Sequence, residues 1–347
     1  MSTLDDGAAV AGLEARERTM TDAPAGVVAD TRASLKSTGT AAKPGGDVVG
    51  GEAERKRRTR FVWLMMGPTA LIVLVVVAYP FFYNVVLSLS NMNLFHIRDW
   101  SLIGLGQYAA VFSEPAFWGV LGKTVLWTVV NVFFHVVIGV LLAVVLNQTL
   151  IKGKPAWRVL LILPWALPQY ITALTWRGMF NYEYGAINLF LGQFLNLNPV
   201  QWLTSPTEAF IAAIITNVWL GFPFMMVVAL GALQSIPGEL YEAADVDGAS
   251  AWSKFWNITV PLLRPVMIPA ITLGTVWTFN NINVVWLISN GGEPNDQTHI
   301  LVSYVYEAAF SAYRFGWAAA LSLVIFGILF LFTQVFLKKT DATEAAY

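Results

Sequence analysis

The sequence predicts an all-α integral membrane fold with six transmembrane helices. The composition is 56% hydrophobic and only 12% charged, with a mean hydropathy of +0.59, whereas a soluble domain carries roughly a quarter charged residues. The apolar residues form six runs, each long enough for a helix of about 20 residues to cross the hydrocarbon core. The six predicted spans are residues 61–88, 117–146, 159–180, 209–232, 264–288 and 316–337.

The segment before the first predicted span has a different composition. Residues 1–55 are rich in Ala, Gly, Ser, Thr and Asp, and they contain few large apolar side chains until a basic run that begins at Arg55. Such a segment buries too little apolar surface to offset its ordering entropy. We therefore expect residues 1–55 to be a disordered cytoplasmic tail without a cleavable signal, and residues 56–347 to form the transmembrane domain.

The distribution of Lys and Arg predicts how the spans are oriented. Outside the tail, twelve basic residues flank the spans on one side and four on the other. The twelve are Arg55, Lys56, Arg57, Arg58, Arg60, Lys152, Lys154, Arg158, Lys254, Arg264, Lys338 and Lys339, and the four are Arg98, Lys123, Arg177 and Arg314. The positive-inside rule places both termini and the loops 147–158 and 233–263 in the cytoplasm.

The predicted spans lack the groups that an ion-coupled carrier, a membrane enzyme or an ATPase needs. Carboxylates inside a span mark proton and ion relays, but Glu183 and Glu208 lie at or beyond span ends. Gly122-Lys123-Thr124 is similar to the end of a phosphate-binding loop, but Phe117 stands where that loop needs a glycine. We expect His135 to bond a neighbouring helix rather than to relay protons. With no cysteine and three scattered histidines, no metal site is expected, and the net charge of −1 does not favour nucleic acid.

The loop at 234–263 is the most informative segment on the cytoplasmic side. Residues 239–247 and 250–258 each suit a short helix, Gly248 permits a bend between them, and Pro261 is expected to end the second. Trp252, Phe255 and Trp256 give that second helix an apolar face. This face packs either on the ends of the protein's own helices or on a soluble partner.

The same loop resembles the EAA loop of permeases from binding-protein-dependent ABC importers. The resemblance rests on Glu242-Ala243-Ala244, on Asp247-Gly248 and on Ile258 followed by Pro261. It implies that Glu242, Ala243, Ala244, Asp247 and Gly248 couple the chain to an ATPase. It also implies that two separate ATPase subunits hold ATP and Mg²⁺, and that the chain itself is neither an enzyme nor the holder of a cofactor.

The fourth and fifth predicted spans carry the features of a translocation path. Pro223, next to Gly221, is expected to break the fourth span near the middle of the membrane, where broken helices mark transport sites. The alternative is a static kink. In the fifth span, Trp277 and Asn281 share a helix face with Gly274 and Thr278. Aromatic rings and amides without fixed charge suit a sugar; for Asn280 and Asn283, hydrogen bonds between helices are the competing explanation.

The region 105–337 is similar to the larger membrane subunit of maltose/maltodextrin importers (MalF-like). The motifs are Arg158 to Pro164, Trp219-Leu220-Gly221 with Pro223, Phe279-Asn280-Asn281, Asn290-Gly291-Gly292 and Phe315 to Ala320. The resemblance implies a type I ABC importer permease fold in the bacterial cytoplasmic (inner) membrane. It further implies a second homologous permease and an extracytoplasmic sugar-binding protein as partners. The sugar site it implies consists of Asn217, Trp219, Leu220, Gly221, Phe224, Gly274, Trp277, Thr278 and Asn281.

This sequence departs from that family at several positions of the implied site. Phe224 replaces a Tyr, and Gly274, Trp277 and Thr278 replace a Ser, a Phe and an Asn, so aromatic surface is gained and polar groups are lost. An oligosaccharide similar to maltodextrin is the expected substrate, with another sugar or a glycerol-phosphate-type solute as the alternative. A phosphate ester calls for Arg or Lys in the cavity, and neither stands at these positions.

Overall fold

The structure is a computed structural model that describes residues 48–340. Residues 1–47 of the predicted tail and residues 341–347 lie outside the described range, and the first helix begins at Val48, within the predicted tail. The chain divides into two compact units, residues 1–75 and 76–347. The described part of the first unit is the helix Val48–Val73 and the start of a π-helical turn, Leu74–Ala78.

The second unit is built from α-helices and short connections. The long helices are Pro115–Asn147, Pro206–Ser235, Val260–Phe279 and Phe315–Lys339. The shorter ones are Tyr79–Ser88, Gly106–Ser113, Lys154–Ala166, Gln169–Met179, Ala186–Phe194, Glu239–Val246, Ala251–Lys254, Ile282–Ile288 and Leu301–Phe310. Across residues 48–340 the only β pairing is an isolated bridge between Ser90 and Leu102.

The apolar helices of residues 48–340 supply five helical stretches that are long and apolar enough to cross a membrane. One pair of helices with a bend between them makes a sixth when the pair is counted as one span. In chain order the spans are Arg55–Ser88, Pro115–Asn147, the pair Lys154–Ala166 and Gln169–Met179, Pro206–Ser235, Ala251–Ile288 and Phe315–Lys338. We call them the first to sixth spans, and they confirm the predicted all-α membrane fold.

The third span is not the single helix expected over residues 159–180. Its two halves meet at an angle of 92°. The reason lies in two prolines: Pro164 falls in the last turn of the first half, and Pro168 forces the residue before it, Leu167, into extended backbone. The second half therefore starts in a new direction at Gln169.

The fourth span, by contrast, shows no break at Pro223, and the prediction of one was wrong. The helix runs unbroken from Pro206 to Ser235. It packs closely along the second span: a Cβ placed on Gly139 would lie 2.7 Å from Met225 Cβ and 2.8 Å from Met226 N. This packing holds the helix through the proline. The interruption lies instead in the fifth span, where Asn280 and Asn281 separate the helices Val260–Phe279 and Ile282–Ile288.

The loop 234–263 contains the predicted first helix and bend, but its second helix does not end at Pro261. Glu239–Val246 is helical, and Gly248 has a positive φ of 72°. Ala251–Lys254 continues through a π-helical turn, Phe255–Thr259, directly into the fifth span. Pro261 is tolerated because it closely follows that π-helical turn, where the regular hydrogen-bond ladder of the helix is already interrupted.

Two bonds connect the short helix Glu239–Val246 to the short helix Ala251–Lys254 and to the π-helical turn that follows it. Tyr241 Oη and Thr259 Oγ1 are hydrogen-bonded at 2.9 Å. The ammonium of Lys254 lies 2.6 Å from Asp245 Oδ1. The turn at Gly248 therefore joins two helices whose relative position is set by side chains on both, and this unit is continuous with the fifth span.

Candidate substrate cavity

A cavity of about 470 Å³ opens between the third, fourth and fifth spans, with one side chain from the second. Its lining is a mixture of aromatic rings, amides and small residues. The lining residues are His135, Trp165, Gln169, Asn217, Leu220, Gly221, Phe224, Met225, Gly274, Val276, Trp277, Thr278, Asn280, Asn281 and Asn283. This described lining contains no Asp, Glu, Lys or Arg, so the cavity offers no fixed charge to an ionic solute.

Eight of the nine positions of the implied sugar site border this one cavity. They are Asn217, Leu220, Gly221, Phe224, Gly274, Trp277, Thr278 and Asn281. Trp219 is the exception. Its ring packs edge-on against Trp176 with 5.7 Å between centroids, and it contributes to a neighbouring apolar cluster rather than to the cavity wall. Trp219 stands two residues from Asn217 and from Gly221, and so on a different side of the helix.

Two asparagines join the fourth and fifth spans at the cavity wall. Asn281 Nδ2 donates a hydrogen bond of 2.8 Å to Asn217 Oδ1. Asn281 Oδ1 in turn faces the N–H of Val284 at 3.5 Å, at the start of the helix Ile282–Ile288. Asn217 Nδ2 is buried and has no hydrogen-bond partner among the described residues. An unsatisfied amide donor therefore lies beside the cavity.

Three aromatic rings that are neighbours along the cavity wall supply apolar surface. The centroids of Trp165 and Phe224 are 6.3 Å apart, and those of Phe224 and Trp277 are 5.3 Å apart. The Trp277 ring is 50% exposed, so it offers an apolar face without first having to leave a packed core. We call Trp165, Phe224 and Trp277 the aromatic wall.

His135 is held in the wall by the backbone of the fourth span. Its Nε2 lies 2.9 Å from the carbonyl oxygen of Asn217, and because a carbonyl only accepts, Nε2 must carry the hydrogen. This bond to a neighbouring helix confirms the sequence-based interpretation. A Cβ on Gly221 would overlap the His135 ring, so glycine is the residue that leaves room for the imidazole.

Seven lining residues are not among the nine positions of the implied sugar site: His135, Trp165, Gln169, Met225, Val276, Asn280 and Asn283. Trp165 and Gln169 flank the 92° bend of the third span, and Gln169 Oε1 lies 3.4 Å from Asn283 Nδ2. For Asn283, the sequence had indicated hydrogen bonding between helices as the explanation that competes with sugar binding. The spacing of Pro164 and Pro168 was the available signal, because two prolines four residues apart in an apolar run mark a bend as readily as Pro223 does.

The residues assigned by resemblance to ATPase coupling lie together on the short helix Glu239–Val246 and on the turn that follows it. Glu242, Ala243, Asp247 and Gly248 are exposed, and Ala244 is half-buried. The apolar face expected near them is present: Trp252 is 71% exposed and Trp256 is 50% exposed. The face is therefore not covered by the ends of the described helices.

Comparison with known proteins gives one family over nearly the whole described range. Residues 55–340 match the family described as binding-protein-dependent transport system inner membrane component. The galactooligosaccharides transport system permease protein of Bacillus subtilis is 34% identical over 279 residues, which are 76% of this chain and 66% of that protein. The trehalose/maltose transport system permease protein of Thermococcus litoralis is 36% identical over 283 residues, 81% of this chain and 94% of that protein.

The fold also has a counterpart among solved structures. A chain from a bacterial ABC transporter that imports the acidic polysaccharide alginate superposes with a TM-score of 0.72. The two share 20% sequence identity, and the match covers 85% of this chain and 99% of the other. At this identity the likeness establishes the fold alone, the type I ABC importer permease fold.

Proposed function

Because this chain belongs to the family of binding-protein-dependent transport system inner membrane components, we propose that it forms the translocation pathway for an oligosaccharide of the maltose/maltodextrin type. The chain is an ABC importer permease of the sugar transport class. It forms this pathway together with a second permease subunit and works by alternating access. The observation that carries the proposal is the cavity in which the aromatic wall faces a row of uncharged amides.

The lining has the chemistry that a glucan chain requires. The C–H faces of a pyranose ring pack on aromatic rings, which Trp165, Phe224 and Trp277 supply. Its hydroxyls need partners that both donate and accept, and a carboxamide does both. Asn217 Nδ2, buried without a partner, supports this role because a sugar hydroxyl satisfies it after a small movement of the wall.

The choice among sugars rests on the named relatives and on the cavity lining. One relative is named for galactooligosaccharides and another for trehalose and maltose, so sugars of different linkage occur in the family. A glycerol-phosphate-type solute is the competing candidate, and the uncharged lining disfavours it because a phosphate ester is recognised by Arg or Lys. The cavity volume of about 470 Å³ suits a short segment of a neutral chain rather than an ion.

The energy for transport comes, in this proposal, from two ATPase subunits that dock on the cytoplasmic loops of this chain and of the second permease. Glu242 and the turn at Gly248 receive the movement. The short helices pass it to the fifth span, because Ala251–Lys254 runs without interruption into Val260–Phe279. The helix Val260–Phe279 carries Trp277, and Asn281 follows directly after its end. A shift of the loop therefore reaches Trp277 in the cavity wall through one continuous helical element.

The excess of Lys and Arg on one side supports cytoplasmic termini in the bacterial inner membrane. An extracytoplasmic binding protein delivers the sugar to the opposite side.

The decisive experiment is sugar-stimulated ATP hydrolysis by the reconstituted complex of this chain, its second permease and the ATPase. A panel of maltose, maltotriose, longer maltodextrins, trehalose, galactooligosaccharides and glycerol phosphate is tested, each with the binding protein. We expect stimulation by maltodextrins and none by glycerol phosphate. Stimulation by glycerol phosphate alone contradicts a sugar pathway, and stimulation by galactooligosaccharides alone contradicts the maltodextrin assignment.

A further inference from the structure

A cluster of three titratable side chains lies outside the cavity, between the fifth and sixth spans. Asp296, His299 and Glu307 each offer one possible ligand atom, and these atoms lie within 4.8 Å of one another. His299 is 1% exposed, Glu307 is half-buried and Asp296 is exposed. The transport mechanism described above uses none of the three.

The imidazole of His299 is held in one orientation. Its Nδ1 lies 3.1 Å from Ser303 Oγ, and the hydroxyl of Ser303 is within 2.9 Å of the carbonyl oxygen of Ile300, to which it donates. With that hydrogen used, Ser303 Oγ accepts from Nδ1–H, which leaves the lone pair of the ring on Nε2. The ring has no alternative seat, because a Cβ on Gly292 would overlap it.

Nε2 is therefore a buried acceptor that lies beside another acceptor. It lies 3.0 Å from Glu307 Oε2, and it has no hydrogen-bond partner with proper geometry in the part of the chain that the structure describes. Two lone pairs at this distance need a positive species between them, either a proton or a metal ion. Asp296 adds a second carboxylate from the exposed side.

We propose that Asp296, His299 and Glu307 form a binding site for a divalent transition-metal ion, Zn²⁺ in particular. One imidazole nitrogen and two carboxylate oxygens are ligands that Zn²⁺ accepts, with bonds of about 2.0–2.2 Å. Tetrahedral bonds of that length separate ligand atoms by about 3.4 Å, which the existing 3.0 Å between Nε2 and Oε2 approaches. Ser303 is the partner that fixes the ligating tautomer, as outer partners of zinc-bound histidines do.

Burial around the cluster favours the neutral imidazole that ligates a metal, whereas a proton on Glu307 and the charge of Lys123 oppose a bound cation. Burial lowers the pKa of His299, so that the imidazole is neutral and free to ligate at neutral pH; Asp296 opposes this shift and Lys123 adds to it. Burial and the neighbouring Asp296 raise the pKa of Glu307, so a proton competes with the metal there. Lys123 is the positive group that faces the cluster from the second span, bonded to the carbonyl of Gln297, and it weakens any cation site.

Such an ion would tie the loop 289–300 to the helix Leu301–Phe310. That helix is already attached to the second span, because Leu301 N–H donates to Thr124 Oγ1 at 2.8 Å. The sequence predicted no metal site here, because the three histidines are scattered along the chain. A site with one histidine and two carboxylates from a loop and a helix becomes visible only after folding.

The test measures metal binding by the purified full chain after removal of metal with a chelator. Equilibrium dialysis with ZnCl₂ gives the stoichiometry and dissociation constant, and CoCl₂ gives the visible absorption of tetrahedral cobalt as a second readout. We expect one ion per chain. Asp296→Asn, which changes an exposed side chain, and His299→Gln each weaken binding by about tenfold or more.

Two controls separate this site from non-specific binding. Glu293→Gln changes an exposed carboxylate of the same loop, and His96→Gln changes an exposed histidine elsewhere; both should bind Zn²⁺ as the unaltered chain does. Binding should also weaken as the pH falls and release protons, because Glu307 and Nε2 exchange a proton for the metal. The proposal is overturned if the unaltered chain binds no Zn²⁺, or if Asp296→Asn and His299→Gln both bind it with unchanged affinity and unchanged cobalt spectrum.

Discussion

Asn281 donates a 2.8 Å hydrogen bond to the side-chain oxygen of Asn217, and this bond closes the gap between the fifth and fourth spans at the cavity wall. The same contact leaves Asn217 Nδ2 buried without a partner among the described residues. The pair thus combines a structural bond with an unused donor. A movement of the fifth span changes both at once, which is what a substrate site coupled to alternating access requires.

Replacing Asn281 by Ala should weaken transport without preventing assembly. The change removes the donor to Asn217 and leaves its buried oxygen unsatisfied, which costs about 1–3 kcal/mol. We expect the sugar concentration for half-maximal stimulation of the ATPase to rise about tenfold, which corresponds to about 1.4 kcal/mol. The measurement is stimulated ATP hydrolysis in proteoliposomes.

The matched control for that change is Ser322→Ala in the sixth span. Ser322 donates only to the carbonyl of Ala318 in its own helix, so its loss removes a polar group inside a span without touching the cavity. A normal half-maximal concentration in Asn281→Ala would take this residue out of the substrate site.

Trp277 should contribute to sugar uptake through contact of its aromatic ring with the sugar, and not by filling space in a packed core. Because the side chain is 50% exposed, Trp277→Ala should cost little stability but should lower uptake, since an aromatic contact contributes about 0.5–1.5 kcal/mol beyond area. Trp277→Phe should retain most uptake. Trp118→Ala, at a ring that is 56% exposed away from the cavity, is the control. Equal uptake by Trp277→Ala and Trp277→Phe would exclude a stacking role.

Gly221 and His135 should behave as a size-complementary pair. Gly221→Ala places a Cβ in the His135 ring, and overpacking of this kind costs about 1–3 kcal/mol. We expect a lower thermal stability of the purified complex, restored in part by His135→Ala in the same chain, which removes the obstructing ring. Gly231→Ala, in the same helix with no atom within 4 Å of the added Cβ, should be neutral. Strictly additive effects in the double variant would disprove direct contact.

Part of the site was predictable from the sequence because its residues follow helix periodicity. Gly274, Trp277, Thr278 and Asn281 repeat at intervals of three and four, and the structure brings all of them to one cavity. Trp165 was not predictable in this way, because its position depends on the 92° bend between the two halves of the third span. Local chemistry favours a bend at any proline, but only the packed neighbours decide which proline bends the helix.

The same reasoning explains the two wrong predictions about prolines. Pro223 lies in a helix that packs along the second span through Gly139, and that contact keeps the helix straight enough to continue. Pro261 closely follows a π-helical turn, where the regular hydrogen-bond ladder is already interrupted. In both cases the sequence contains the breaker but not the environment that decides its effect.

The coupling assignment predicts that hydrolysis and transport can be separated. Glu242→Ala should leave the complex assembled, with ATP hydrolysis no longer stimulated by sugar and uptake strongly reduced. Gly248→Val should have a similar effect, because φ at this position is 72° and a side chain there costs about 1–2 kcal/mol. Glu239→Ala, an exposed change in the same short helix, is the control. Normal coupling in Glu242→Ala and Gly248→Val together would refute the role of this turn.

Tyr304 should cause the stability of the folded chain to fall as the pH rises into the alkaline range. Burial, and then the hydrogen bond that Tyr304 Oη donates to Glu114 Oε1 at 2.9 Å, raise the pKa of its phenol from 10.0 to about 12. The folded state therefore holds this proton more firmly than the unfolded state does, so the contribution is complete below pH 10 and is lost as the pH rises towards 12. Thermal unfolding of the purified complex between pH 8 and about 12 measures it. Tyr304→Phe should be less stable at neutral pH but should lose less stability in the alkaline range, and the exposed change Tyr184→Phe controls for loss of one phenol. Parallel profiles for Tyr304→Phe and the unaltered chain would show that the bond to Glu114 does not hold the proton.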